Sequence, residues 1–120
     1  MSAAEIYPYI SGIKNSSGMQ LITVEALKAR IDKGETLNLV DVREPHEHAD
    51  FNIGGILLPL GRVQMMDTED IDDLKDKEVI VYCRSGNRSG QAAMMLESAG
   101  FTNVVNVTGG MLAWQDKVGR

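Results

Sequence analysis

Val79-Ile80-Val81-Tyr82-Cys83-Arg84-Ser85-Gly86-Asn87-Arg88-Ser89 decides how the rest of the chain is read. Four good strand formers run straight into the only cysteine, and a helical pattern then carries from Ser89 to Ala99, with Gly100 as its stop. Cys83 is therefore expected at the crest between a strand and a helix. The first amides of a helix lack intrahelical partners, and the aligned peptide dipoles favour negative charge at that end, so a thiolate there is favoured over a thiol. Gly86 and Asn87 tolerate left-handed backbone, which lets successive N–H groups curl around one anion. Arg84 and Arg88 add positive charge that cannot be titrated away. A lone cysteine is by default a small buried hydrophobe, and two arginines a solvated surface. The glycine-containing turn, the arginines and the helix start beside Cys83 point instead to a reactive thiolate.

The 120 residues suit one domain with a single packed core. Apolar content of 43% with 24% charged residues is that of an ordinary globular protein, and no apolar run approaches a membrane span. The first residues, Met1 to Ile6, lack the basic and apolar blocks of a signal peptide, so a cytoplasmic location is expected. One cysteine excludes an internal disulfide and a multi-cysteine metal site, and it fits a reducing compartment. A net charge of −5 argues against nucleic acid as a partner. No cofactor, no metal and no membrane partner is expected, and the chain is expected to act as a monomer.

Outward from that stretch, residues 1–18 show no sustained period and are expected to form an N-terminal arm, with the folded domain over 19–120. A short edge strand is predicted over Met19 to Ile22. Thr23 then caps a helix from Val24 to Lys33, with Val24, Leu27 and Ile31 facing inward and Gly34 ending it. Leu37 to Val42 reads as an interior strand of a parallel sheet. Pro45 suits the first position of a short helix through Ala49, with Glu44 and Glu47 near its positive end. His46 and His48, two apart on that helix, point to different faces, so a solvated turn is expected rather than a shared metal.

Asp41 and Arg43 lie at the carboxyl end of their strand, where ligand sites form in open α/β sheets and where Cys83 also lies. They are candidates for a supporting role, either an ion pair bracing the loops or a direct substrate contact. Ile56 to Leu58 reads as a short buried strand closed by Pro59, and Gly61 to Met66 as a loop over the site. The acidic run from Asp67 to Asp73 around Ile71 and Leu74 predicts a short helix with a solvated face rather than a calcium loop. Val104 to Val107 reads as a last strand, and Thr108-Gly109-Gly110 as a turn into a terminal helix bearing Leu112 and Trp114. Alternating strands and helices imply an α/β fold, a mostly parallel sheet of about five strands with helices on both faces.

Four segments resemble the rhodanese (thiosulfate sulfurtransferase) family: Leu39-Val40-Asp41-Val42-Arg43-Glu44-Pro45; Ile53-Gly54-Gly55 with Pro59-Leu60; Val81 to Ser89; and Gly109-Gly110-Met111-Leu112-Ala113-Trp114. In this order they are similar to one complete single-domain rhodanese from about Gln20 onward. Asn52 stands where the family usually has histidine, and Gly55 where it usually has alanine. The resemblance implies a rhodanese-like fold and a sulfur transfer in which Cys83 takes the outer sulfur of a small anionic donor such as thiosulfate. The resulting persulfide then gives the sulfur to cyanide or a thiol, in two displacements. Arg84, Ser85, Gly86, Asn87, Arg88 and Ser89 are the candidate substrate-binding residues, their amides cradling the sulfur and the two arginines orienting sulfonate oxygens.

Two other classes remain open. Cysteine phosphatases also set a nucleophilic cysteine before an anion cradle and an arginine, but with one residue more between the two than Arg84 to Asn87 provide here. A sulfur carrier or docking module, loaded by a partner protein in a sulfur relay, is the third.

Overall fold

The computed structural model of the chain describes residues 13–14 and 19–120. Most of the arm expected over residues 1–18 lies outside them. The strands are β1 (Ile13–Lys14), β2 (Gln20–Ile22), β3 (Leu39–Asp41), β4 (Ile56–Leu57), β5 (Glu78–Tyr82) and β6 (Asn103–Val107). The helices are α1 (Val24–Asp32), α2 (Pro45–Asp50), α3 (Leu60–Gln64), α4 (Asn87–Ser98) and α5 (Gly110–Lys117), with a 3-10 turn over Glu69–Leu74.

The sheet runs β1-β2-β6-β5-β3-β4, with β5 between β6 and β3. Strands β2 to β6 are parallel, and β1 adds to β2 as an antiparallel edge. The expected α/β class with a mostly parallel sheet and helices on both faces is what the chain forms. Because side chains alternate across a strand, β5 feeds two cores. Val79, Val81 and Cys83 pack with Ala92, Ala93 and Leu96 of α4, Val63 of α3 and Ile71 of the 3-10 turn. Ile80 and Tyr82 pack on the opposite face with Leu27 of α1 and Met111 and Trp114 of α5. A strand buried on both faces reads as a continuous apolar run, and Val79 to Tyr82 is such a run.

Local chemistry explains the ends of the elements. The Thr23 hydroxyl accepts the Ala26 amide at 3.1 Å and starts α1. Arg30 on α1 donates to both carboxylate oxygens of Glu78, at 3.2 and 2.6 Å, tying that helix to the start of β5. Pro45 opens α2 with its fixed φ.

Three expectations need correction. Residues 60–64 form a helix rather than a loop: Pro59 serves as N-cap, and Val63 is buried in the core shared with α4. Ile56 is 39% exposed, so of the short strand only its neighbour Leu58 is fully buried. The long helix after Cys83 begins at Asn87, two residues earlier than its apolar spacing suggested.

Candidate active site

Strand β5 ends at Tyr82, and residues 83–86 form the turn that leads into α4. Gly86 adopts φ 101, in the left-handed region, and its N–H donates to Cys83 Sγ at 3.1 Å. The Ser89 hydroxyl approaches the same sulfur at 3.3 Å. Burial pushes the Cys83 thiol up. The Ser89 hydroxyl and the amides of Ser89, Gly86 and Ser85 outweigh that, and the net shift is downward. Cys83 is fully buried, yet the surrounding amides are turned toward its sulfur rather than away from it.

The outward side of the same turn is held by α5. Met111 N–H donates to the Cys83 carbonyl and Leu112 N–H to the Arg84 carbonyl, both at 2.9 Å. Orphan donors of one helix start thus fix the peptide planes of the loop that begins another. Gly110 makes this approach possible: a Cβ there would stand 2.4 Å from the Cys83 carbonyl oxygen, which backbone atoms do not tolerate.

The two arginines have different surroundings. Arg84 is exposed and borders an open pocket of about 270 Å³, together with Arg43, Glu47, Leu112 and Arg120. Arg88 is half-buried and forks onto both oxygens of Glu47. Asn87, the first residue of α4, is exposed, and so is Ser85. Ser89 is fully buried and touches both Cys83 and Asn106.

Asp41 and Arg43 form a buried ion pair. Arg43 donates to Asp41 through Nε at 2.9 Å and Nη2 at 2.7 Å, and Nη2 also reaches the Phe51 carbonyl at 2.6 Å. His48, expected on a solvated turn, is instead half-buried with Nδ1 2.9 Å from Asp41 Oδ2. The pair therefore anchors α2 and the turn after it beneath the pocket. The Arg43 guanidinium also lies 5.6 Å from the Tyr82 ring centre, and the Tyr82 hydroxyl donates to the Gly54 carbonyl at 2.9 Å. Gly55 has φ 90, and an added Cβ would stand 2.1 Å from the Leu39 carbonyl oxygen, so the alanine usual in the family does not fit this backbone.

Sequence reasoning missed Glu47, His48 and Asn106 as parts of the site. Among the described residues no group of three or more His, Cys, Asp or Glu side chains is placed to hold a metal ion, and no helix is long and apolar enough to cross a membrane.

The chain is similar in sequence and fold to known proteins. The rhodanese-like domain family matches residues 23–117. A protein of Bacillus subtilis named "Putative sulfur carrier protein YrkF" is 37% identical over 105 residues; the match covers 87% of this chain but 55% of that protein, so the chain spans little more than half of its length. A sulfurtransferase of Allochromatium vinosum is 39% identical over 94 residues, covering 78% of this chain and 85% of the relative. The crystal structure of a rhodanese-like domain protein from Staphylococcus aureus superposes with a TM-score of 0.72 at 30% identity, over 83% of this chain and 95% of the other. With a family match over residues 23–117 and a relative 39% identical across most of its own length, the chain belongs to the rhodanese-like domain family.

Proposed function

We propose that the chain is a sulfurtransferase that carries a sulfane sulfur on Cys83. The observation that carries this reading is the inward-facing Gly86 amide and Ser89 hydroxyl on a sulfur whose thiol is held below its ordinary range. A thiolate held this way is already the nucleophile, so the first step needs no general base.

With thiosulfate as donor, a lone pair of the Cys83 thiolate forms a bond to the outer sulfur. The sulfur–sulfur bond of the donor breaks, and its electron pair leaves with sulfite. The negative charge now rests on the outer sulfur of a Cys83 persulfide. Cyanide or a thiolate then attacks that outer sulfur, and the electron pair of the new sulfur–sulfur bond returns to Cys83. The amides of Ser85, Gly86 and Ser89 offset negative charge at each stage, and exposed Arg84 orients the sulfonate oxygens of the donor. Arg88, shared with Glu47, holds the turn and adds positive field over the sulfur. Asp41 and Arg43 keep α2 in place for that contact. Because Cys83 is covered, the donor reaches it through a local opening of the turn.

The test is intact mass measurement after thiosulfate treatment. The expected result is the gain of one sulfur atom at Cys83 and its loss on adding cyanide; a protein that gains none from thiosulfate or from a persulfide donor overturns the reading. A carrier role, in which a partner protein loads Cys83 in a sulfur relay, is supported by the similarity to the Bacillus subtilis protein named as a sulfur carrier and by the covered sulfur. Loading that needs a protein donor and fails with thiosulfate selects this second reading. A reducing, cytoplasmic setting suits a chain whose one cysteine has no disulfide partner.

A further inference from the structure

Asn106 lies on β6 between Val105 and Val107, away from the turn in sequence, and is buried. A buried amide in an apolar strand costs stability unless its hydrogen bonds are made, and here both the amide nitrogen and the amide oxygen have a partner in the segment from Gly86 to Ser89 beside Cys83. Its Nδ2 donates to the Gly86 carbonyl at 3.1 Å and stands 3.7 Å from Met19 Sδ. That contact orients the amide, because the flipped form would set Oδ1 against a carbonyl oxygen. Oδ1 is therefore left facing the Ser89 hydroxyl, at 2.5 Å.

Ser89 has one hydroxyl proton and two acceptors for it, Asn106 Oδ1 at 2.5 Å and Cys83 Sγ at 3.3 Å. In the thiol state the chain is complete: Cys83 S–H donates to Ser89 Oγ, and Ser89 O–H donates to Asn106 Oδ1. In the thiolate state the sulfur can only accept. The Ser89 proton must then turn to the sulfur, and Asn106 Oδ1 loses its donor, or it stays on Asn106 and the thiolate loses its hydroxyl. One buried bond is given up either way.

We propose that Asn106 is a positioning residue for the Cys83 chemistry: by competing for the Ser89 proton it sets how readily the sulfur ionises and how strongly it is held once charged. This rests on the reading of Cys83 as the sulfur-carrying nucleophile. It also gives the thiolate a reason to react. When the charge moves to the outer sulfur of a persulfide, the inner sulfur no longer needs the hydroxyl, and Ser89 turns back to Asn106.

The experiment follows the rate of Cys83 alkylation by iodoacetamide against pH in the full chain, in four proteins: the parent, Asn106→Leu, Ser89→Ala and the double variant. Asn106→Leu removes the competing acceptor, so the alkylation midpoint is expected to fall by about one pH unit. Ser89→Ala is expected to raise it, and in that background Asn106→Leu is expected to shift it no further down. An unchanged or raised midpoint in Asn106→Leu, or a fall of equal size with and without Ser89, overturns the proposal. Asn106→Val, shorter and suited to a strand, serves in the same cycle if the leucine variant does not fold. Alkylation does not require sulfur transfer, so this proposal can fail while thiosulfate still loads Cys83, and loading can fail while the midpoints shift as stated.

Discussion

Arg88 and Glu47 meet through two parallel hydrogen bonds, 2.7 Å from Nη1 to Oε1 and 2.9 Å from Nη2 to Oε2, and so join α4 to α2 beside the sulfur. Glu47 Oε1 also accepts the Glu44 amide at 3.0 Å, so the same carboxylate closes the first turn of its own helix. The Arg88 guanidinium, together with that amide, draws the Glu47 carboxyl down from its ordinary value to about 2, against the opposing effect of burial.

A depressed carboxyl pKa adds stability that is present above the unfolded value, near 4.5, and is lost as pH falls toward about 2. Glu47→Gln is expected to lower stability by about 1–2 kcal/mol at pH 6, between the values for exposed and buried pairs. In urea unfolding at pH 6, 4 and 3 the gap between the two proteins should narrow steadily as pH falls. A gap that stays constant would mean that Glu47 acts by packing and not by charge.

Cys83→Ser is expected to abolish thiocyanate formation from thiosulfate and cyanide while the chain still unfolds cooperatively. A hydroxyl at this position is not ionised and cannot form a persulfide. Production of thiocyanate by this variant at the parental rate would remove the mechanism.

Arg84→Ala is expected to lower kcat/KM for thiosulfate about 10- to 100-fold, the range for losing one charge-assisted hydrogen bond. Melting temperature should change little, because the side chain is exposed and has no hydrogen bond or ion pair among the described residues. Steady-state kinetics alongside a thermal melt separate the two effects, and a large fall in melting temperature would assign Arg84 to the fold.

Gly110→Ala is expected to destabilise the protein by about 2–3 kcal/mol and to slow sulfur transfer together with it. The added methyl group meets the carbonyls of Cys83 and Arg84, and φ 54 is unfavourable for alanine. Chemical denaturation and the alkylation midpoint of Cys83 should move together; a stable variant with an unaltered midpoint would show that the turn does not depend on α5.

Thiol ionisation gives a fifth expectation. With Cys83 below its ordinary value, the thiolate persists to lower pH than a free cysteine, and alkylation should fall only as pH drops through the lowered value. The same profile after unfolding in denaturant should return to that of an ordinary cysteine. Coincident folded and unfolded profiles would contradict the geometry of the turn.

Much of this was legible from local pattern. The apolar run of Val79 to Tyr82, the helix stop at Gly100 and the turn chemistry of Gly86 are properties of neighbouring residues, and they place Cys83 without further help. Asp41 and Arg43 were legible as a pair because only Val42 separates them. Glu47 and Asn106 were not, since each takes its meaning from a partner 41 or 17 residues away. Within its own segment Glu47 is only a charge near a helix start, and Asn106 an interruption in a run of valines. That interruption was the available signal, because a polar side chain between buried strand positions must have partners. The short helix over 60–64 was hidden by Pro59 and Gly61, which locally favour a loop; packing of Val63 against α4 overrides that preference.

The grip of α5 on the Cys83 and Arg84 carbonyls has an energetic consequence for the reaction. With the Arg84 oxygen anchored outward, the opposite end of the same peptide group, the Ser85 N–H, already faces the sulfur before any donor arrives. Dipoles that do not have to swing round as charge appears add almost nothing to the activation barrier, whereas water around a free thiolate must reorient at every step. The last helix thus makes a fixed solvent for one atom.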